Sequence, residues 1–535
     1  MGTGKGKLLQ QMMADGVRYI FGNPGTVEQG ILDELYQYPE ISYITCLQES
    51  IAVAMADGYA RATGSPAVVQ LHSGVGLGNG TGMLYQAYRG HSPLVVIAGE
   101  AGMKYDAMDA QMACNLVKMA EPVTKYAARV THPDSLLRLW RRAYKMAVTP
   151  PMGPVFLCLP LDILDMENQE AVQPTSHIDF QNRPMDETLS TIAQELAGAL
   201  HPVILAGDGV SISWAVEELE NCARLAAAPV YGVNSSCINI SQASPYYKGD
   251  LGHMFGKNSR SAVQDADVVL MVGTYAFPEV FPCIENPFHP DAKVYHIDLD
   301  AYEIAKNHPV TLGVCCSPKA ALKVISEKLE KAEVPYRERR MKELFSNKKT
   351  PLQDGTVVAV FLEEIKRLTD ENLIIFDEAL TTSAYLTSFL PRIREGTFFQ
   401  TRGGSLGVGI PGGMGIMLAD QNKQVIAFTG DGGSMYTIQA LHTASRYHIP
   451  IKIVICNNKR YHLLDQNLEE YRKEQGIPSH QLPDCFSMEP VIDFVTLAHS
   501  MGVDGIKVET PAQAADAAKM LLQAKEAFLV DLNTT

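Results

Sequence analysis

The sequence predicts an α/β protein built as three doubly wound, parallel-sheet domains. Three observations carry this. A chain of 535 residues has the length for about three domains, at roughly 100–200 residues each. Short apolar runs alternate with helix-like segments, the pattern of parallel sheets covered by helices on both faces. Two polar or charge-rich stretches, residues 167–182 and 328–349, divide the chain, so domains are expected at 1–166, 183–330 and 351–535.

In the first part, residues 8–16 read as a helix. Residues 17–21 read as a short apolar strand ending in Gly22-Asn23-Pro24-Gly25. Residues 51–63 carry a helical pattern, and 67–71 and 94–98 are strand-like, before a proline-bearing stretch at 155–164. The second part opens with a strand at 202–206 followed by Gly207-Asp208-Gly209. It continues with strands at 267–272 and 293–297, the latter ending in Asp298. Residues 328–349, with Arg337, Arg339 and Arg340, read as a solvated connection. The third part has strands at 373–376, 425–428, 451–456 and 528–532. The first and third parts could be related sheets.

Bulk composition narrows the function classes. A formal net charge of −15 argues against nucleic acid or an anionic membrane surface as partner, while leaving room for one locally positive site. The ten cysteines show no C-x-x-C spacing, and the adjacent Cys315 and Cys316 are poorly placed to bridge. They read as reduced thiols of a cytoplasmic protein. No apolar signal core follows residues 1–7, and no run of about 18 apolar residues exists to span a membrane.

The strongest motif lies in the third part. The buried-strand run Val425-Ile426-Ala427-Phe428-Thr429 leads into Gly430-Asp431-Gly432-Gly433-Ser434, then a helix-like stretch to Tyr447. The next strand ends in Asn457-Asn458, so Asp431 and Asn458 both sit just past strand C-termini, the edge where open α/β sheets bind ligands. Glycines let backbone approach a diphosphate, and a helix starting near Ser434 offers free N–H groups. Mg²⁺ prefers oxygen ligands. Asp431 supplies a carboxylate, Asn458 an amide oxygen, and the Arg460 carbonyl a third. Gly-Asp-Gly alone is weak, as its second copy at 207–209 shows.

This pattern resembles the diphosphate-binding motif of thiamine diphosphate enzymes. Phe21-Gly22-Asn23-Pro24-Gly25, Leu47-Gln48-Glu49, Ala56-Asp57-Gly58-Tyr59-Ala60 and Leu71-His72-Ser73 extend the likeness. Together they resemble the thiamine diphosphate-dependent superfamily of benzoylformate decarboxylase, acetolactate synthase and pyruvate oxidase, with motifs nearest the first. The resemblance covers nearly the whole chain. It implies pyrimidine-binding, central and diphosphate-binding domains, and a homodimer or homotetramer with shared active sites, in which Glu49 and His72 face Asp431 and Asn458 of a second copy.

The resemblance also assigns roles. Glu49 would contact N1′ of the aminopyrimidine, promoting the imino tautomer that removes the C2 proton; a carboxyl in an apolar crevice suits that exchange near neutrality. His72 would face the thiazolium, at the start of what reads as a glycine loop over 72–79 with no G-x-G-x-x-G register, so NAD is disfavoured. In Gly403-Gly404-Ser405-Leu406-Gly407, Leu406 would be the wedge under the bent cofactor and the Gly404 carbonyl would accept from its 4′-amino group. Thr381 and Thr382 would add hydroxyl contacts to the diphosphate, with further cofactor contacts from Pro24, Gly25, Asn79, Gly432, Gly433, Ser434 and Tyr461. Thr26, His72 and His462 would meet substrate.

Departures matter as much. The second active-site histidine of benzoylformate decarboxylases would fall within residues 273–282, which hold none; Glu279 or His462 could substitute. Tyr275, Phe277 and Phe281 could line an apolar pocket or belong to the central core. FAD is not expected: no glycine-rich diphosphate loop lies there beyond Ala206-Gly207-Asp208-Gly209, whose like also occurs in members of the superfamily without flavin. The expected function is a thiamine diphosphate- and Mg²⁺-dependent 2-oxo acid decarboxylase or carboligase, acting through a C2-carbanion and an enamine, with an aldehyde as possible acceptor. The alternatives are acetolactate synthase-like condensation of two 2-oxo acids, a flavin-dependent oxidase, and a non-catalytic binding subunit.

Overall fold

Aliphatic and β-branched runs between glycine, proline and polar turns become strands, and the order of those strands decides which loops share an edge. The structure, a computed structural model, describes residues 2–345, 355–370 and 372–535. The chain divides into two compact units, one of residues 1–177, 353–389 and 401–535, the other of residues 178–352 and 390–400. The first unit carries two parallel sheets from opposite ends of the sequence, and the second carries one.

The N-terminal sheet comprises β1 (Tyr19–Gly22), β2 (Ser42–Thr45), β3 (Ala67–Leu71), β4 (Leu94–Glu100), β5 (Tyr126–Arg129) and β6 (Val155–Pro160). Their order is β2-β1-β3-β4-β6-β5, all parallel. Four helices matter here: α1 (Gly4–Ala14), α2 (Glu49–Thr63), α3 (Ser73–Arg89) and α4 (Leu136–Val148). Leu8 and Met12 of α1 and Trp140 of α4 pack with Ile20, Val68 and Val95 on one face. On the other, a β-carbon at Gly80 of α3 would meet Leu71 and Val53 at 3.4 Å, so α2 and α3 lie close there. The glycine-rich run after His72 is therefore not a loop. It is the first turns of α3, and its glycines let that helix approach the strand end. The polar stretch at 167–182 is likewise anchored at its start: Glu167–Asn168 pairs antiparallel with Gly2–Thr3, and buried Glu170 accepts from the N–H groups of Leu137 and Arg138.

The central sheet comprises β7 (Pro202–Ala206), β8 (Val230–Val233), β9 (Tyr247–Leu251), β10 (Val268–Val272), β11 (Lys293–Asp298) and β12 (Leu312–Cys315). They run β9-β8-β7-β10-β11-β12, all parallel, with the order reversing between β7 and β10. Helices α5 (Asp186–Gly198), α6 (Val216–Ala226) and α7 (Arg337–Phe345) belong to this unit. The solvated connection expected over 328–349 is corrected by α7. Arg340 is 3% exposed and donates to the carbonyls of Leu196, Ala197 and Ala199 at the end of α5 and of Ala226 at the end of α6. Cationic donors suit helix C-termini, where carbonyls lack intrahelical partners. Residues 346–349 of that stretch lie outside the described residues.

The C-terminal sheet of the first unit comprises β13 (Leu373–Glu378), β14 (Gln424–Gly430), β15 (Lys452–Asn457), β16 (Asp504–Val508) and β17 (Phe528–Asn533), in the order β13-β14-β15-β17-β16. This repeats the order of the last five strands of the N-terminal sheet, the relation between the two ends that the sequence raised. Helix α8 (Gly409–Ala419) crosses α2 at backbone contact: a β-carbon on Gly58 would strike the Gly412 carbonyl, and one on Gly415 the Met55 carbonyl. The helix expected from Ser434 to Tyr447 is broken, with one turn over Asp431–Ser434 and then α9 (Ala440–Arg446).

Candidate active site

Glu49 opens α2 and is 4% exposed. Its Oε1 accepts from the Asn23 amide at 3.1 Å, and its Oε2 from the Asn79 amide at 3.0 Å. Asn23 follows β1 and Asn79 lies in the second turn of α3, so three segments from separate parts of the sheet edge meet on one carboxyl group. Asn79 was among the expected residues. Asn23, one residue before Pro24, lies in the Gly22–Gly25 motif with no expected role of its own. The crevice is therefore not purely apolar, because each carboxyl oxygen has a neutral donor.

His72 ends β3. Its Nδ1 stands 2.8 Å from Oε2 of Glu28, a residue the sequence reading missed. Glu28 is 2% exposed, and its Oε1 accepts from the Gly99 N–H at 2.8 Å. Burial pushes its carboxyl above the usual range, against the downward pull of His72 and of the Gly99 and Ser73 N–H groups. Gly25 is required here: a β-carbon at that position would overlap the His72 ring. Pro24 and Thr26 flank it and are exposed. A cavity of about 400 Å³ lies near the start of α3, lined in part by Glu100, Cys114, Arg129 and Cys158. Cys114 comes within 3.4 Å of where a Gly74 side chain would begin.

At the C-terminal sheet, Asp431 is 4% exposed and burial raises its carboxyl, against N–H groups of Gly432, Lys459 and Arg460. Its Oδ2 lies 3.2 Å from the Arg460 N–H, and Asn458 Oδ1 lies 3.0 Å from the same N–H. Two anionic or dipolar oxygens from adjacent strand ends thus converge on one point. This donor set fits a hard divalent cation, which takes oxygen ligands. Among the described residues no group of three or more His, Cys, Asp or Glu side chains could hold a metal. An ion at Asp431 would therefore draw on amide, backbone and phosphate oxygens. The Arg460 carbonyl accepts from the His462 N–H at 2.8 Å. His462 Nδ1 lies 3.4 Å from Asp465, whose carboxylate also binds the Arg460 side chain. Tyr461 packs its ring against Gly432, where a β-carbon would come 2.5 Å from it. Gly433 and Ser434 complete the one-turn helix, and the Ser434 hydroxyl donates to the Asp431 carbonyl.

Gly404 and Gly407 adopt φ of +79° and +88°, a conformation other residues rarely take, and Gly404 is exposed. Leu406 between them is partly exposed. The segment is tied to α3 of the same chain by Gly403 N–H to Gln86 Oε1 and by the Ser405 hydroxyl to the Gly82 carbonyl. Thr381 is partly exposed and Thr382 is buried, following Glu378 at the end of β13. In the central unit, Phe277 is 5% exposed and belongs to a hydrophobic core, whereas Tyr275 lies under the Lys306 ammonium and Phe281 is exposed and stacked on Phe255. Glu279 is partly buried, and burial raises its carboxyl.

Comparison with known proteins identifies the family. Residues 3–119 match the N-terminal TPP binding domain of thiamine pyrophosphate enzymes, 189–325 the central domain, and 381–532 the C-terminal TPP binding domain. Thiamine pyrophosphate is the same cofactor as thiamine diphosphate. The acetolactate synthase large subunit of Lactococcus lactis subsp. lactis is 28% identical over 542 residues, covering 99% of this chain and 92% of the relative. Benzoylformate decarboxylase of Pseudomonas aeruginosa is 28% identical over 533 residues, covering 97% and 96%. Among solved structures, a thiamine diphosphate-dependent 4-hydroxybenzoylformate decarboxylase of Rhodococcus jostii RHA1 superposes with a TM-score of 0.88 at 25% identity, covering 100% of this chain and 99% of the other. The chain belongs to the thiamine pyrophosphate enzyme family, as a thiamine diphosphate-dependent enzyme of its decarboxylase and acetolactate synthase branch. Such an enzyme makes or breaks carbon–carbon bonds. No helix among the described residues is long and apolar enough to cross a membrane.

Proposed function

We propose that this enzyme is a Mg²⁺-dependent 2-oxo acid decarboxylase or carboligase whose active sites are shared between two copies of the chain. The observation that carries the reading is Glu49, a buried carboxyl held by Asn23 and Asn79 beside the His72–Glu28 pair. Bound thiamine diphosphate supplies a nucleophilic carbon for the 2-oxo group and a sink for the electrons released as CO₂ leaves. Glu49 holds the proton that the aminopyrimidine ring must gain and lose. With Nδ1 of His72 taken by Glu28, Nε2 is left to hydrogen-bond a substrate oxygen or return a proton. Asp431, Asn458 and the Arg460 backbone would hold the metal and, through it, the diphosphate, with Gly404, Leu406, Thr381, Thr382 and Tyr461 around the cofactor. The exposed face of α3, including Val75 and Tyr85, supports a second copy as the surface that completes the site. Ten free cysteines accord with a reducing, cytoplasmic setting.

Carboligation stays within the reading because residues 273–282 hold no histidine, and Val280 and Phe281 present exposed apolar side chains there. A reaction without flavin is supported by the turn at 207–209: Asp208 takes the N–H groups of Ser236 and Cys237, and Gly209 packs against Gly273. The test is consumption of pyruvate, a branched-chain 2-oxo acid and benzoylformate with thiamine diphosphate and Mg²⁺, each with and without an aldehyde. Aldehyde released without an acceptor makes it a decarboxylase, and consumption that needs an acceptor makes it a carboligase. No turnover of any of the three would sink the reading.

A further inference from the structure

The carboxylate of Glu378 does something that neither the motifs nor the proposed chemistry uses. It ends β13 and is 2% exposed. Its Oε1 accepts from the N–H groups of Gly407 and Val408, and its Oε2 from the Gly409 N–H at 2.8 Å and the Thr429 hydroxyl at 3.0 Å. Three consecutive backbone donors thus end on one side chain. Gly409 opens α8 and Val408 is its N-cap, so donors at a helix start, which lacks intrahelical partners for its first N–H groups, are met together by the buried carboxyl oxygens. The segment they fix begins one residue after Leu406. Thr429 lies two residues before Asp431, and Gly433 places its missing β-carbon 3.8 Å from the Glu378 carboxyl carbon. One side chain therefore joins the bend segment at 403–407 to the strand that delivers Asp431.

We propose that Glu378 is a positioning residue that sets the conformation of residues 403–407 and, through it, the affinity for thiamine diphosphate. The inference rests on the cofactor reading above. Gly404 and Gly407 hold left-handed conformations that nothing in their own side chains enforces, so the N–H groups just downstream need a fixed acceptor. Glutamine is the same size but replaces one acceptor oxygen with an NH₂ donor, which would face the Gly409 N–H or the Gly407–Val408 pair. Aspartate keeps both oxygens but is one methylene shorter, so it reaches fewer of the donors. Thr429→Val removes the single contact that does not go to the segment.

The experiment measures thiamine diphosphate binding by calorimetry in the presence of Mg²⁺ for the wild type, Glu378→Gln, Glu378→Asp and Thr429→Val. C2–H exchange of the bound cofactor is followed at saturation, and apo-protein unfolding in parallel. The expected result is a dissociation constant raised at least tenfold in Glu378→Gln and less in Glu378→Asp. Thr429→Val should stay within threefold of wild type. Exchange at saturation should slow in Glu378→Gln as well, because the Gly404 carbonyl that would hold the 4′-amino group shifts with the segment, and should stay within twofold of wild type in Thr429→Val. A Glu378→Gln protein that is less stable but binds like wild type would overturn the proposal. Should that variant not fold, wild-type affinity in Glu378→Asp overturns it equally. Failure of the wild type itself to bind would instead strike the cofactor reading, and this inference with it.

Discussion

His72 Nδ1 lies 2.8 Å from Glu28 Oε2, and the ring fits there only because residue 25 is glycine. A carboxylate at Nδ1 keeps the neutral imidazole protonated on that nitrogen and leaves Nε2 as an acceptor. Glu28→Gln can offer Nδ1 either a carbonyl or an NH₂ group, so the tautomer is no longer fixed. We expect kcat to fall by roughly tenfold or more, up to the ~10²–10⁴ that a positioned acid–base group contributes as a whole. The cofactor dissociation constant should not change, and the pH profile of kcat should shift. The double variant Glu28→Gln/His72→Ala should be no slower than His72→Ala alone, since coupled residues are not additive. Additive losses in that cycle would show that Glu28 acts independently of His72.

Among the described residues, Glu49 meets two neutral amides and no cation. Glu49→Gln keeps the shape and can rearrange its hydrogen bonds to Asn23 and Asn79, so the fold should persist by circular dichroism. It has no carboxyl proton to exchange. C2–H exchange of bound thiamine diphosphate, followed by NMR, should slow by at least ~10², the lower end of a general acid–base contribution. Asn79→Ala should slow it less, because Asn23 still holds one oxygen. Undiminished exchange in Glu49→Gln would remove Glu49 from the proton path.

The contact between α2 and α8 is made of backbone. A β-carbon on Gly415 would meet the Met55 carbonyl, and one on Gly58 the Gly412 carbonyl. Relief requires moving a helix, not a side chain. Gly415→Ala should therefore cost at least the ~1–3 kcal/mol typical of overpacking, read as a lowered urea midpoint with unchanged slope. Because α2 begins at Glu49 and α8 begins two residues after Gly407, the same variant should also weaken cofactor binding.

Much of this fold was legible because buried parallel strands carry an unmixed aliphatic signal. Residues 67–71 and 202–206 form strands with the expected bounds. Strands β2 and β5 were not anticipated, because their partly exposed edge positions mix tyrosine, serine, threonine and arginine with aliphatic residues. The run at 72–79 misled for a different reason. Glycine disfavours helix locally, but at Gly76 and Gly80 its lack of a side chain lets α3 lie against Glu49, Leu71 and Val53, and packing overrides propensity. Asp431 and Asn458 were readable because strand ends announce them. Glu28 was not, because its link to His72 spans 44 positions and is made only when β1 and β3 pair. Arg340 looked like one charge among several until the ends of α5 and α6 met around it.

Stability should also carry a pH signature from the central unit. Asp298 ends β11 at 9% exposure, and burial pushes its carboxyl up to about 7 from 3.8. The charges of Asp300 and Glu303 add to the rise, while the N–H groups of Asp300 and Leu299 oppose it. Between those two values the folded chain binds a proton that the unfolded chain has lost. The contribution of this group to stability is therefore greatest at low pH and falls as pH rises from 3.8 to about 7. Glu378, pushed up to about 7 by burial, adds a loss of the same sign. Asp298→Asn keeps an oxygen for the Asp300 N–H, 2.8 Å away, and removes the titration. Urea unfolding of the central-unit signal at pH 5 and pH 7.5 should show a smaller drop in the variant than in wild type, with the two proteins closest at the acidic end. An equal drop in both would mean that Asp298 is ionised in the folded protein across the whole range.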